Sequence, residues 1–350
     1  MHRFLIVGYG SIGERHAAMI RESGVADVAA VYDTDSEKRA LARNRGFKAC
    51  DTLEELLTEP ADLAIVATPN DSHRELVCRL LRAGKHVLAE KPAALSLEEL
   101  DEMYSAADRE GRILSVSQTR RWDADFLAIR RVLDEKLLGE VFRIESRVYG
   151  SRGIPAGWRR EKSKGGGMLY DWGPHLIDQI LLACGGREPS EVFCQLSHVT
   201  ESEVDDGFTL TLGFPGGLRA LIEVGTCNYI SLPRFYVCGR RGTALINDWR
   251  ENCQVTQCFR WEEQADLNSA EESAEARIMT PRDGQSVRQF SLERPQADPH
   301  AALRNFCQAA EGKTALAVRR DEVMSVVRVI RAAFASEEQK RPVDLCGNPL

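Results

Sequence analysis

The chain has 350 residues, 43% of them hydrophobic and 28% charged, the balance of a soluble globular protein and more length than one core usually sustains. Its formal net charge of −7 gives no field that would draw nucleic acid or an anionic membrane, so neither is expected as a partner. The N-terminal MHRFLIVGYGSIG breaks a short apolar run with glycines, which fits neither a signal peptide nor a membrane span, and a cytoplasmic location is expected.

Residues 3–7, RFLIV, read as a strand that runs into Gly8-Tyr9-Gly10-Ser11-Ile12-Gly13. A helical pattern follows to Ser23, and a second strand, VAAVYD, ends at Asp33, twenty residues past the last glycine. A G-x-G-x-x-G between strand and helix, with an acid at that distance, is the fingerprint of dinucleotide binding. Gly8 permits the tight turn, Gly10 lets backbone approach a pyrophosphate at the helix N-terminus, and Gly13 lets helix pack on strand. Asp33 would accept hydrogen bonds from ribose hydroxyls and repel a 2′-phosphate, which favours NAD, although Lys38 and Arg39 keep NADP open. The alternative for Asp33 is a turn residue in Asp-Thr-Asp-Ser.

Strands at 61–68, 86–92 and 112–118 alternate with helices at 72–84 and 96–111. Such alternation predicts a doubly wound parallel sheet with ligands at the carboxyl ends of its strands. Two of those ends carry polar residues, Thr68-Pro69-Asn70 and Glu90-Lys91-Pro92. A lysine just past a buried strand is partly desolvated, which depresses its pKa; a solvated loop lysine is the plainer reading. Gln118, at the end of the strand at 112–118, could contact substrate or the nicotinamide ribose, as could Asn70 and Asp178; Arg121 and Trp122, just beyond that strand, could line the pocket, and Trp122 could equally be packing.

A helix is expected at 123–138 and the start of a second sheet at 139–150. Residues 152–164 then hold Arg152, Arg159, Arg160, Lys162 and Lys164 against Glu161, locally +4. The loop enters GGGMLYDWGPHLID, residues 165–178. At about 100° per residue, Asp171, His175 and Asp178 share one stripe of a helix, opposite Leu169, Leu176, Ile180 and Ala183. Pro174 is tolerated only in the first turn, so the helix should begin near 170–173 with Asp171 close to the N-cap. The glycines would let backbone come close to a ligand; a capping aspartate and a core histidine are the plainer alternative. Strands at 208–214, 218–226, 234–239 and 242–248 alternate with period two, predicting a mainly antiparallel open sheet. Residues 262–294 are acidic and poor in strand signal and read as an extended excursion, solvated or used in oligomer contacts. Helices at about 299–311 and 320–338 close the chain, the second returning to the first domain. Ten cysteines without C-x-x-C spacing read as reduced thiols, and seven histidines show no metal-ligand spacing, so no metal is expected.

GYGSIG, ATPNDSH, GKHVLAEKP and GGGMLYDWGPHLID, in that order, resemble the glucose–fructose oxidoreductase / inositol dehydrogenase / rhizopine-catabolism (Gfo/Idh/MocA) family over essentially the whole chain. The resemblance implies a Rossmann domain over 1–122 and an α+β substrate and oligomerisation domain over 123–350. It implies cofactor contacts at Gly8, Gly10, Ser11, Ile12, Gly13, Asp33, Thr68, Pro69, Asn70, His73, Glu90 and Lys91. It implies catalysis by Lys91, Asp171 and His175, and it places Trp158 and Arg159 at the pocket mouth. The expected substrate is a neutral sugar, polyol or glycoside, oxidised at a secondary hydroxyl. His175 is assigned as general base, Lys91 as hydrogen-bond partner of the same oxygen and Asp171 as orienter, with Lys91 as proton acceptor the alternative. A homodimer or homotetramer through the second sheet is expected. The rivals are an NAD-dependent glycosidase working by transient oxidation, an inactive NAD-binding sensor, and a hydroxyacid or amino-acid dehydrogenase sharing only the first domain.

Overall fold

The computed structural model describes residues 2–260 and 286–346. In the first half, β1 (His2–Val7), β2 (Ala26–Tyr32), β3 (Leu63–Val66), β4 (His86–Ala89) and β5 (Leu114–Val116) form a parallel sheet ordered β2-β1-β3-β4-β5. Helices α1 (Ser11–Ser23), α2 (Ser36–Asn44), α3 (Leu53–Thr58), α4 (His73–Arg82) and α5 (Leu97–Arg109) connect the strands. The strands are mostly apolar because both faces of the sheet are covered. Leu5, Val7, Ala64 and Val66 pack with Leu80 and Met103, while Phe4, Ile6 and Ile65 pack with Ala17 and Ile20. Apolar periodicity does not mark α2 and α3, although both announce themselves by caps. Asp35 accepts from the Glu37 N–H, and Thr52 and Glu55 form a capping box. Strand order reverses between β1 and β3, and Gly8, Thr68, Glu90 and Gln118 lie just past the carboxyl ends of β1, β3, β4 and β5.

The second half contributes α6 (Ala124–Asp134), β6 (Val141–Tyr149), α7 (Met168–Asp171), α8 (Gly173–Ala183), β7 (Glu191–Ser197), β8 (Gly207–Gly213), β9 (Arg219–Gly225), β10 (Phe235–Gly239), β11 (Gly242–Ile246), β12 (Cys253–Cys258), β13 (Val287–Leu292), α9 (Ala301–Ala310), α10 (Arg320–Gln339) and β14 (Val343–Asp344). Its nine strands run β13-β12-β11-β10-β6-β9-β8-β7-β14, antiparallel except for the β6–β9 pair. Leu176, Ile177 and Ile180 of α8 pack on Leu210, Ile222 and Val237 of this sheet.

Two expectations need correction here. Residues 287–292 of the acidic segment form β13, paired with β12; at a sheet edge, VRQFSL needs little apolar content. The part of that segment at 262–285 lies outside the described residues. Of the closing helices, α9 returns to the first domain more fully than α10. Leu303, Phe306 and Cys307 join Phe4 and Ile6, whereas α10 sends Val323 and Val327 to the first-domain core and Val326, Val329 and Ile330 to the second.

Behind the domain junction lies a buried ion cluster. Arg121 donates from Nε and Nη2 to the two oxygens of Asp178, at 2.7 and 2.5 Å, and from Nη1 to the Ala317 carbonyl and Glu322, at 2.6 and 2.8 Å. Side-chain exposure is 7% for Arg121 and 3% for Asp178. One guanidinium thus ties the end of the first domain to α8 and to the start of α10. All ten cysteines are unpaired, and no described helix is long and apolar enough to cross a membrane. Removing one partner of a buried pair leaves an uncompensated charge. Arg121→Ala is therefore expected to lower the unfolding free energy by about 3–5 kcal/mol in urea denaturation. Arg121→Met combined with Asp178→Leu should lose clearly less. A loss below about 1 kcal/mol in the single variant would show the cluster to be dispensable.

Candidate active site

The glycine loop is shaped by packing as much as by any ligand. Gly8 has φ +91°, and a Cβ there would lie 2.6 Å from the Ala67 carbonyl; one on Gly13 would lie 1.9 Å from the Gly8 carbonyl. Gly10 faces open space and is the N-cap of α1, with no side chain capping the helix. The first-turn amides of α1 therefore point, uncapped, at a cavity of about 90 Å³ lined by Ser11, Ile12, Thr68, Asn70, Lys91 and Arg159. An uncapped helix N-terminus above a backbone without Cβ fits a dinucleotide pyrophosphate. Asp33 sits at the end of β2, 7% exposed, accepting from the N–H groups of Tyr9 and Asp35 at 2.7 and 2.9 Å. Lys38 lies 4.0 Å from it, and Arg39 donates to the Asp33 and Thr34 carbonyls. Asp33 therefore also fixes the glycine loop.

His73 is fully buried rather than facing the cavity. Its Nδ1 lies 2.9 Å from the Pro92 carbonyl and its Nε2 3.0 Å from that of Thr68, so it ties together the loops after β3 and β4. Glu90 meets His16 at 2.6 Å. Burial pushes the Glu90 carboxyl up, but the bond to His16 and the charges of His16 and Lys91 outweigh it and hold the carboxyl below its usual range.

From these strand ends the chain reaches across to the second domain. Asn70, 3% exposed, donates from Nδ2 to the Gly165 carbonyl at 2.8 Å. Lys91 Nζ donates to the Asp171 carbonyl at 2.7 Å and to its carboxylate at 2.9 Å. Arg159 donates to the same carboxylate oxygen at 3.2 Å, with its guanidinium 4.8 Å from the Trp158 ring centre. Burial pushes Asp171 up, but Lys91 and Arg159 outweigh it and keep it a carboxylate. Of the cations at 152–164, Arg159 lines the cleft, Arg160 turns to the Ile154 carbonyl and Lys164 pairs with Glu161.

The expected single helix is two. Asp171 ends α7, Trp172 occupies the N-cap position of α8 without a side-chain cap, and Pro174 occupies the first turn of α8 as required. The polar stripe is split accordingly: Asp171 and His175 line the cleft, whereas Asp178 is held by Arg121. The glycine run also differs from expectation. A Cβ on Gly165 would lie 2.6 Å from Leu95, one on Gly166 2.5 Å from the Arg159 carbonyl, and one on Gly167, at φ +102°, 2.1 Å from Asp205. These glycines make room for protein, not for a ligand. Asp205, passed over in the sequence, receives the Leu169 N–H at 2.7 Å and so caps α7.

His175 completes the group. Its Nδ1 is 3.2 Å from Gln118 Oε1, and Gln118 Nε2 donates to the Pro174 carbonyl at 3.1 Å. The amide orientation gives Nδ1 the proton and leaves Nε2 as an acceptor. Burial, then the charges of Lys91 and Arg120, push the imidazole well below the ordinary histidine range, so it is neutral at working pH. Gln118 therefore positions His175. Lys91, Asp171, His175, Arg159, Trp172 and Trp122 line one cleft of about 330 Å³ beside the cofactor loop. Among described residues, no group of His, Cys, Asp and Glu could hold a metal.

Residues 2–118 match the oxidoreductase family with an NAD-binding Rossmann fold, and residues 126–245 match the GFO/IDH/MocA C-terminal domain. The chain is 30% identical over 297 residues to the scyllo-inositol 2-dehydrogenase (NADP(+)) of Bacillus subtilis, covering 84% of this chain and 82% of that one. The chain belongs to the Gfo/Idh/MocA oxidoreductase family. It is also 30% identical over 256 residues to the 1,5-anhydro-D-fructose reductase of Ensifer adhaerens, covering 70% and 75% of the two chains. A crystal structure of an NAD-binding protein from Listeria innocua superposes with TM-score 0.89 at 36% identity, covering 99% and 98%. The chain is thus an oxidoreductase with a nicotinamide-nucleotide fold, and its relatives act on small molecules.

Asp205 carries a pH signature. Burial raises its folded-state pKa to about 6 from the ordinary 3.8. Between those values the folded chain holds a proton that the unfolded chain has released, so stability falls as pH rises through this window. Asp205→Asn, which keeps an acceptor for Leu169, should show a flatter stability profile there than the wild type. Parallel profiles in denaturant titrations across the window would contradict this.

Proposed function

We propose that this oxidoreductase exchanges hydride between a nicotinamide dinucleotide and a CH–OH carbon of a sugar, cyclitol or related polyol. The observation that carries the reading is the meeting of Lys91 from one domain with Asp171 and His175 from the other, at the mouth of the glycine loop. Gly8, Gly10, Ser11, Ile12 and Gly13 would hold the pyrophosphate, and Asp33 the ribose. Bound nicotinamide supplies the hydride acceptor or donor. Neutral His175, held by Gln118 with Nε2 free, takes the hydroxyl proton during oxidation and returns it during reduction. Lys91, anchored on Asp171, donates a hydrogen bond to the same oxygen and stabilises its developing negative charge. Asp171 keeps Lys91 aimed.

Asp33 favours NAD in this reading, and the Bacillus subtilis relative, named for NADP(+), is the counterweight. Ten unpaired thiols support a reducing, cytoplasmic location.

Lys91→Ala and His175→Ala are each expected to cost on the order of 10²–10⁴ in kcat, the usual weight of a positioned acid–base group. Cofactor dissociation constants should stay close to wild type. Near wild-type turnover in His175→Ala would remove it from proton transfer, and lost cofactor binding in both would make their role structural. Fluorescence titration should show tighter binding of NADH than of NADPH, with the gap narrowed in Asp33→Ala. Tighter NADPH binding by the wild type would reverse the cofactor assignment.

A further inference from the structure

The cleft has a second polar pair, beside His175, of which the acid–base chemistry above uses only the charge of Arg120. Arg120 and Asp123 both line it, and Arg120 Nη1 donates to Asp123 Oδ2 at 2.8 Å. Asp123 occupies the N-cap position of α6, yet its side chain makes no capping hydrogen bond. An aspartate there ordinarily turns back onto the helix amides, a contact typically worth about 1 kcal/mol. Here it turns to Arg120 instead. The Arg120 guanidinium lies 4.4 Å from the Trp172 ring centre and 5.1 Å from that of Trp249, in cation–π range of both. Trp172 in turn stands 6.2 Å from the His175 ring, edge-on. A charged pair and an aromatic wall are thus built next to the proton acceptor.

The arrangement is braced from behind. Gln179, fully buried, donates from Nε2 to the Arg120 carbonyl at 2.7 Å and accepts from Arg234 Nη2 at 2.9 Å. Arg234, 2% exposed, has its guanidinium 4.2 Å from the Trp249 ring centre and its Nε 3.1 Å from Asp125. A buried cation is costly unless paired; Asp125 supplies the counter-charge, and Gln179 links Arg234 to the Arg120 carbonyl.

We propose that Arg120 and Asp123, set against Trp172, form the subsite that grips two adjacent hydroxyls of a neutral substrate ring, with Arg234 and Gln179 as its positioning residues. This rests on the reading that the substrate is a hydroxyl-bearing ring, and it adds which residues select it. An arginine fork donates, a carboxylate accepts, and neighbouring hydroxyls offer both functions at once. The pair is neutral overall, which suits a polyol better than an acid. Trp172 gives the apolar face of the ring a surface to lie on.

The test uses the full-length protein with scyllo-inositol, a monodeoxy-inositol, glucose and glucuronate, followed by reduction of NAD⁺ and NADP⁺. Asp123→Asn and Arg120→Ala should each raise KM for scyllo-inositol about 10–100-fold, the weight of hydrogen bonds to charged groups, with kcat changed far less. Preference for scyllo-inositol over the deoxy compound should shrink, and cofactor affinity should hold. Arg234→Lys should raise KM without moving cofactor affinity. Thermal unfolding of each variant separates this from misfolding, and Asp123→Asn is nearly isosteric. An unchanged KM in Asp123→Asn, equal losses on scyllo-inositol and its deoxy analogue, or a wild-type preference for glucuronate over glucose would each overturn the subsite. Should the wild type turn over none of these compounds, tryptophan fluorescence with scyllo-inositol decides. Saturable quenching weakened by Asp123→Asn upholds the subsite while the dehydrogenase reading falls, and no quenching overturns the subsite as well.

Discussion

The molecule is organised around the contact of Lys91 with Asp171. Each side chain is 13% exposed, and each would be a costly buried charge alone. The lysine lies just past the end of β4 in one domain, and the aspartate ends α7 in the other. Three further contacts run alongside it in sequence order on both sides: Asn70 with Gly165, Gln118 with His175 and Pro174, and Arg121 with Asp178. Successive strand ends of the parallel sheet are thus read off, one by one, along the segment 165–178. A one-residue slip would leave several polar groups without partners, so the cleft geometry is fixed by satisfaction of buried polarity rather than by the apolar core.

That line of contacts divides the work of neighbouring residues. Asp171 stays ionised although buried, because Lys91 and Arg159 share it. His175, one turn away, is kept neutral by burial and by the charges of Lys91 and Arg120. Both groups are thus held deprotonated, one charged and one neutral, which separates a charge-holding role from a proton-accepting one. Asp205 acts at one remove, since it caps the short helix that carries Asp171, and Gly167 is the residue that leaves room for it.

Adjacent arginines show how finely the backbone partitions the site. Arg121 points into the ion cluster with Asp178 and Glu322, while Arg120 points into the cleft over Trp172. Residues 119–122 form a single turn of 3₁₀ helix, in which neighbours diverge by about 120°. One turn therefore supplies a structural clamp and a wall of the pocket.

Much of this was legible in the chain of letters. Apolar runs flanked by Gly8-Tyr9-Gly10-Ser11-Ile12-Gly13, Thr68-Pro69-Asn70 and Glu90-Lys91-Pro92 determined a parallel sheet with functional strand ends, because strand periodicity and turn chemistry are local properties. That Asp171 and His175 lie one turn apart was legible from their spacing, and both line the cleft although a helix break separates them; Lys91 was legible from its place after a buried strand. The short helices α2 and α3 were legible too, through their caps, but their charged faces hid them from a search for apolar periodicity. What the tertiary structure alone decided was direction and distance. That Asp178 belongs to Arg121, that the three glycines accommodate Leu95, Arg159 and Asp205, that Arg120 rather than Arg121 faces the cleft, and that Trp249 stands behind Trp172 all depend on residues from 7 to 129 positions apart meeting in space. A sequence specifies which groups share a face of their own element; which partner that face meets is set only when the two domains close on each other and every buried charge must find its counterpart.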